Sequence, residues 1–347
     1  MARRPTPRQR LEALAQELEP VLQIAFLAAV DDILSNIVLA RVVERLERGD
    51  IDGALSALNV DPLAFRSFEE AIRQAYVGGG MATTAGMQAL RDPNGNKLVI
   101  RFDTRAPRAE LYLRTIAGTQ ITGTGIGGRI AQDTLYGARG VMERGLIDGR
   151  NPRSVALDLA GRVNRATGRR TGGLIGLTSS QMETVDRVRQ ELRSGHASAY
   201  RRYLSLKRSD SRGRQAVLRA MNGGGQLEEA TINAITGRLS DSYLLLRGET
   251  IARTEMLTAL AESQKEAYEQ AIESGSVNRQ DVRKVWRATR DNRTRDTHRH
   301  LDGESAGMDE RFANGLLYPH EPGAPASEVV NCRCSIDYRI DFLANLT

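Results

Sequence analysis

Only two cysteines occur in the 347 residues, Cys332 and Cys334, with one residue between them. A disulfide closing so small a ring would be strained, and a chain this long buries enough surface to fold without cross-links. A disulfide framework is not expected, and a reducing or assembly-interior setting fits better. No secretory leader is visible, because the basic N-terminus lacks an apolar stretch ending in a small-residue cleavage site. The most apolar run, VLQIAFLAAVDDILSNIVLARVV, carries Asp31, Asp32, Ser35 and Asn36 near its middle, too many polar groups for a lipid-facing span. No membrane anchor is expected. Familiar catalytic spacings are missing too: there is no HExxH, no nucleophile elbow and no paired-carboxylate spacing. No catalytic residue is assigned, and the expectation is a soluble protein that is not an enzyme.

What the chain has is clustered positive charge. Lys and Arg number 49 against 43 acids, for a net charge of +6. Residues 193–214 hold seven cations against Asp210 alone, and 283–300 hold seven against Asp291 and Asp296. A polyanion is the natural partner, since each phosphate neutralised releases condensed counterions; the plain alternative is a solvated basic face. Two clusters plus the opening MARRPTPRQR favour nucleic acid. Arg201, Arg202, Lys207, Arg208, Arg212 and Arg214 are expected to meet phosphate without reading bases. Tyr200 and Tyr203 stand among them at i, i+3, a spacing that suits packing onto a core better than stacking on bases.

The texture is mainly helical. Ile24, Leu27, Val30, Ile33, Leu34, Ile37 and Val38 recur at three- and four-residue spacing, making a wide apolar face that needs a partner, in this chain or another. Pro5, Pro7 and Pro20 are read as breakers near the start, and SFEEAIRQAYVGGG as a helix stopping at its glycines. DPNGNKLVIRF predicts a small hairpin about Asn94-Gly95. The GxGxxG at Gly123, Gly125 and Gly128 imitates a dinucleotide fingerprint. No second strand follows it, and it is read as a flexible joint entering a helix. Thr178 and Gln181 form a capping box opening a helix whose Met182, Val185, Val188 and Leu192 face inward while Asp186, Arg187, Arg189 and Gln190 stay wet. A long helix then ends at Gly275, a β-like stretch surrounds Trp286, and a turn-rich, proline-containing segment returns to a strand at NCRCSIDYRI. Three regions follow: 1–115, helical with the small hairpin and a candidate docking region; 116–247, basic helices jointed by glycine; and 248–347, a small α+β module carrying the NCRC strand.

The last region carries the most specific pattern. IARTE, then W.AT.D.RTRDTH..LDG, then F..G and PGAP, then EVVNCRC resembles, in that order, the phage Mu F-like minor head proteins, also called phage head morphogenesis proteins. The motif positions are Arg253, Glu255, Trp286, Asp291, Arg293, Arg295, His298, Gly303 and Asn331. The chain departs from the family at Ala324, where an acid is usual, and at Val329 and Val330, where His-Pro is common. The resemblance implies a low-copy protein inside the head of a tailed phage or gene-transfer particle, assembled in the host cytoplasm. Its partners would be the portal protein, capsid or scaffolding protein, and packaged double-stranded DNA. The alternative is a metal-dependent nuclease or other enzyme delivered with the DNA, using His298 as general base beside Asp302.

The cysteines have three readings. Residues i and i+2 of a strand share a face, so Cys332 and Cys334 present two sulfurs together. With two of His298, His300 and His320, chiefly His298 and His320, they would complete a tetrahedral zinc site pinning a loop-rich segment. Otherwise both thiols fill a small core, or they form a redox pair. Asp291 is expected to cap an Asx turn, and Arg293 and Arg295 to pair with Glu255 or Asp302 or to reach phosphate.

Overall fold

The computed structural model describes residues 6–88, 90–117 and 125–342. Helices are α1 Pro7–Asn36, α2 Leu39–Glu47, α3 Ile51–Ala57, α4 Arg66–Met87, α5 Pro107–Ile116, α6 Ile126–Ile147, α7 Pro152–Ala160, α8 Ser179–Ser194, α9 Ala197–Ser205, α10 Ser211–Gly223, α11 Glu229–Glu273, and the single turns α12 Asp296–His300 and α13 Ala326–Val329. Strands are β1 Arg162–Val163, β2 Arg170–Thr171, β3 Val282–Arg287, β4 Ser305–Gly307 and β5 Ser335–Ile340. At 63% helix, with the three-stranded sheet confined to the C-terminal end, the fold is mainly α with a small α+β module, as the periodicities predict. Among the described residues no single helix is long and apolar enough to cross a membrane. The chain divides into two compact units, one from Met1–Ala25, Phe68–Ala117 and Glu249–Thr347, the other from Phe26–Ser67 and Gly118–Gly248.

In the second unit the apolar face of α1 is covered by this chain itself: Phe26, Val30, Ile33, Leu34 and the following Ile37 are buried. Val38 is half-exposed and, in the first unit, Ile24 is exposed, so the face is narrower than its spacing suggests. Pro7 opens α1 and Pro20 lies inside it, so neither ends a helix. The missing proline N–H removes one backbone bond, a cost that buried Leu22 and Phe26 help to offset through packing. Gly123 and the residues just before it lie outside the described residues; Gly125 N-caps α6. Among the described residues β1 and β2 pair antiparallel, so no parallel nucleotide-binding sheet exists here.

The capping box of α8 is present, with Thr178 Oγ1 accepting from the Gln181 N–H and the Gln181 side chain accepting from the Thr178 N–H. Met182, Val185, Val188 and Leu192 are buried as predicted. Asp186 and Arg189 are not wet, however: both are 1% exposed. Arg189 lies 2.7 Å from Asp158, whose carboxylate also meets Arg150, while Arg150 and Arg144 reach Asp186 at 3.0 and 3.1 Å. Periodicity misplaced these two residues because it counts a charge as a surface group, whereas here each charge finds an opposite one from another helix. Burial is the main cause that pulls the Arg189 guanidinium down to about 10, against the attraction of Asp158.

In the first unit α4 does not stop at Gly78–Gly80 but runs on to Met87. The glycines permit close approach: a Cβ on Gly79 would stand 2.3 Å from Ser263 Oγ and 2.9 Å from Leu260 Cδ2, both on α11. The next stretch makes the turn at Asn94-Gly95, with Gly95 at φ +86° and the Gly95 N–H donating to the Asp92 carbonyl at 2.9 Å. No second hairpin strand forms. A lone bridge joins Arg91 to Lys97, after which Leu98 and Ile100 bury into the core that α11 shares with Trp286 and Ile336. Burial of alternate apolar side chains on a helix and sheet core outcompetes a two-stranded ribbon, which is marginal alone.

The C-terminal sheet has the order β4-β3-β5, all antiparallel, with Trp286 opposite Ile336 and Arg287 opposite Ser335. Tyr268 of α11 stacks on Tyr338 of β5 at 4.5 Å between ring centroids. Because β5 begins at Ser335, Cys332 and Cys334 lie in the extended lead-in to the strand and not within it.

Two substitutions probe this packing. Asp158→Ala leaves Arg189 and Arg150 buried without their shared carboxylate and is expected to cost about 3–5 kcal/mol in denaturant unfolding. Gly79→Ala is expected to destabilise by about 1–3 kcal/mol through overpacking, reduced by roughly 1 kcal/mol of helix propensity. Gly223→Ala, where nothing lies within 4 Å of the added carbon, should stay within about 0.5 kcal/mol of the parent.

Candidate metal centre and basic face

Trp286, on the central strand β3, is fully buried and meets His298 of α12 and Phe312 edge-on, at 5.3 and 5.2 Å between centroids. Local chemistry delivers His298 to that place. Asp291 Oδ1 accepts from the Arg293 N–H at 3.0 Å, the expected Asx turn, and from Thr294 Oγ1 at 3.1 Å, while Arg333 donates to its other oxygen. Helix α12 follows after Arg295, whose guanidinium donates to the Val330 carbonyl at 2.7 Å. Arg293 is exposed, and Asp302 is taken by the Ala288 N–H and by Arg290, so neither Arg293 nor Arg295 pairs with Asp302.

Gly303 stands at φ +91°, where the chain turns from α12 into β4. Its N–H donates to the Trp286 carbonyl at 2.9 Å, and the Trp286 N–H donates to the Glu304 carbonyl at 3.0 Å, extending the β3–β4 ladder. Asn331 takes φ +57° just before the cysteines, and its N–H reaches Thr254 Oγ1 of α11 at 3.4 Å. Thr254 stands between Arg253 and Glu255; Arg253 pairs with Glu19 and Glu249 at 2.6 and 2.8 Å.

Three ligand-type atoms converge: the sulfurs of Cys332 and Cys334 lie 3.4 and 3.5 Å from His298 Nδ1, and all three are within 4.8 Å of one another. All three residues are buried. The other ring nitrogen, Nε2, lies 2.7 Å from Glu328 Oε2 on α13. A carboxylate accepts, so in the neutral ring Nε2 holds the proton and Nδ1 turns its lone pair to the sulfurs. Burial works against a charged His298, but hydrogen bonds with Cys334 and Glu328 carry its pKa above the ordinary value. The Cys334 thiol is pulled well below the usual range by Cys332 first and His298 after it, while Cys332 is pushed up by Cys334 and by burial. The pair thus favours one thiolate. The buried Trp286 indole N–H, facing Cys334, adds to that preference.

His320 is also buried, at φ +66°, with neither ring nitrogen in a hydrogen bond, and burial pulls it down to about 4. It lines one cleft with Cys334 but stands outside the set of three. His300 is exposed and takes no part. Sequence reasoning missed Glu328. The signal was present, as the acid of EVVNCRC, but nothing local tells that its partner lies thirty residues earlier. Chemically, two thiols and an imidazole fit a soft or borderline divalent cation such as zinc. A general-base role fits poorly, since both His298 nitrogens are engaged and Asp302 is occupied elsewhere.

The basic run lies in the second unit, on α9, α10 and the turn between them. Tyr200 and Tyr203 are 1% exposed and belong to the core. Arg202 pairs with Glu191 at 2.8 Å, Arg208 donates to Ser242, and Arg214 donates to the Leu204 carbonyl and to Ser209 Oγ. Among the described residues, the exposed Arg201, Lys207 and Arg212 side chains make no hydrogen bond or ion pair.

Residues 213–337 match the family described as Phage Mu protein F like protein, to which that segment is similar. The motif residues around His298, Cys332 and Cys334 fall inside that segment. Among curated relatives, minor head protein GP7 of Bacillus phage SPP1 is a homologue, 37% identical over 102 residues, covering 28% of this chain and 31% of that protein. The uncharacterized protein YqbB of Bacillus subtilis is 33% identical over 102 residues, covering 27% and 31%. The NAD(+)--arginine ADP-ribosyltransferase EFV of Enterococcus faecalis is 40% identical over 90 residues, covering 24% of this chain and 17% of that protein. The chain therefore spans less than a third of the length of each of these relatives. No solved structure matches it.

Gly303→Ala tests the turn. Nothing lies within 4 Å of the added carbon, so any loss reports backbone strain alone; about 1–3 kcal/mol of stability should disappear in equilibrium unfolding.

Proposed function

We propose that this chain is a minor head protein, a head morphogenesis component of a tailed phage or gene-transfer particle. The observation that carries the reading is the match of residues 213–337 to the Mu F-like family, beside a likeness to a protein whose name is minor head protein. In this reading the C-terminal unit is a folded platform without turnover, inside the head near the portal. The second unit grips double-stranded DNA through Arg201, Lys207 and Arg212, the cations that have no internal partner, with Arg202, Arg208 and Arg214 flanking them. Portal, capsid or scaffolding protein would be its protein partners. A role in packaging or delivery follows from contact with the genome, without sequence selection, since arginines meeting phosphate carry no base information.

The nuclease alternative has less support. Its proposed base, His298, is buried between a carboxylate and two thiols, a poor position from which to activate water. The likeness to the ADP-ribosyltransferase extends over 17% of that protein and brings no activity with it.

Two measurements test the proposal. Quantitative mass spectrometry of purified particles should find this polypeptide at a few copies, recovered with the portal; its absence from particles overturns the reading. Duplex DNA affinity should fall steeply with salt, and replacing Arg201, Lys207 and Arg212 by Ala should lower the slope of log affinity against log salt by roughly 0.9 per phosphate contact removed. An unchanged slope removes the cluster from the interface.

A further inference from the structure

The head-protein reading gives no task to the buried sulfur and nitrogen atoms of the C-terminal unit. A hydrophobic role would account for two small thiols, which pack readily in cores. It does not account for their company. Buried polar atoms almost always find partners, and an unpaired one costs about 1–3 kcal/mol. Here both nitrogens of His320, which lines one cleft with Cys334, lack one. Nor does packing explain why His298 is oriented from behind: Glu328 holds Nε2 at 2.7 Å and so aims Nδ1 between the sulfurs. A carboxylate behind the imidazole is the arrangement that fixes a metal-binding histidine. A disulfide is the weaker use of the pair, because adjacent-but-one cysteines close a strained ring.

The segment they hold together also needs a clasp. Between β3 and β5 the described regular structure amounts to α12, three residues of β4 and α13. The convergent side chains come from α12, from the lead-in to β5, and from the proline-bearing return where His320 sits in the left-handed region at φ +66°. That conformation costs a non-glycine residue about 1–3 kcal/mol and persists where something holds it.

We propose that Cys332, Cys334 and His298 bind a zinc ion that clasps this segment, with His320 turning in to supply the fourth ligand and Glu328 positioning His298. Both cysteines bind as thiolates, each giving up its proton as its Zn–S bond forms, so two thiolates and two neutral imidazoles balance the charge of Zn²⁺ in a buried site. The set is closed, with no place left for a reactive water, which makes the ion structural. This inference does not depend on where the protein resides or on its binding DNA.

The test uses the full chain purified under reducing conditions without chelator. Elemental analysis should find one zinc per chain, and replacement by Co²⁺ should give the visible bands of a tetrahedral ion with a near-ultraviolet sulfur-to-cobalt charge-transfer band. Cys332→Ser or Cys334→Ser should lose that band. Glu328→Gln should keep it while weakening affinity by roughly 10–100-fold, the effect of removing a positioning partner. His320→Ala should also bind more weakly; unchanged affinity would overturn its place as fourth ligand. A parent chain that carries no zinc, takes up none when it is added, and shows no sulfur charge transfer with Co²⁺ overturns the proposal outright, whatever the variants do.

Discussion

The imidazole of His298, gripped by Glu328 on one side and by the thiols of Cys332 and Cys334 on the other, ties together pieces of chain that have little regular structure of their own. Trp286 forms the wall against which the ring sits, and the strand that carries Trp286 pairs with both β4 and β5. The turn at Gly303, the Asx turn at Asp291 and the left-handed Asn331 all serve one geometric end, returning the chain to β3 with these side chains facing inward. The same segment also sends Leu301, Met308, Phe312, Leu316 and Tyr318 into the core around Trp286, so the polar tie acts together with apolar burial.

The second unit uses charge differently. Four arginines and two aspartates form an internal ion-pair network in which Asp158 and Asp186 are each shared by more than one guanidinium. Such a network adds little net stability over an apolar core but penalises any arrangement that separates its members. The arginines and the lysine of the neighbouring run that have no internal partner are left to the solvent, and these are the charges available to a polyanion. Thus one residue type, arginine, serves both the interior and the proposed DNA face, and only its neighbours distinguish the two.

The proposed role in a head, against packed DNA, would have use for both features. A salt-sensitive, sequence-blind grip suits a genome of any sequence. A folded terminal module would suit the proposed component of an assembly. The three relatives carry quite different names while resembling this chain over only 90 to 102 residues, so likeness over such a stretch does not by itself fix what the rest of a protein does.

Much of this was legible in one dimension. The helix start at Thr178, the stop at Gly275, the β-character around Trp286 and the order of the C-terminal motifs are written in adjacent or nearby residues, where capping, propensity and turn geometry act. Less legible were Gly78–Gly80, which read as a stop yet lie within a helix because α11 passes close by, and Asp186 and Arg189, which read as surface yet are buried in mutual company. Leu98 and Ile100 read as a hairpin strand and instead feed a core whose other members lie far along the chain. The amino-acid order by itself determined a mainly helical chain, its basic clusters and its Mu F-like module, since each of these is a matter of short-range pattern. Which arginines stay free, which carboxylate aims His298, and that the two sulfurs meet its Nδ1 were decided only by the tertiary structure, because burial and electrostatic partnership depend on distances in space between residues that sequence separation does not encode.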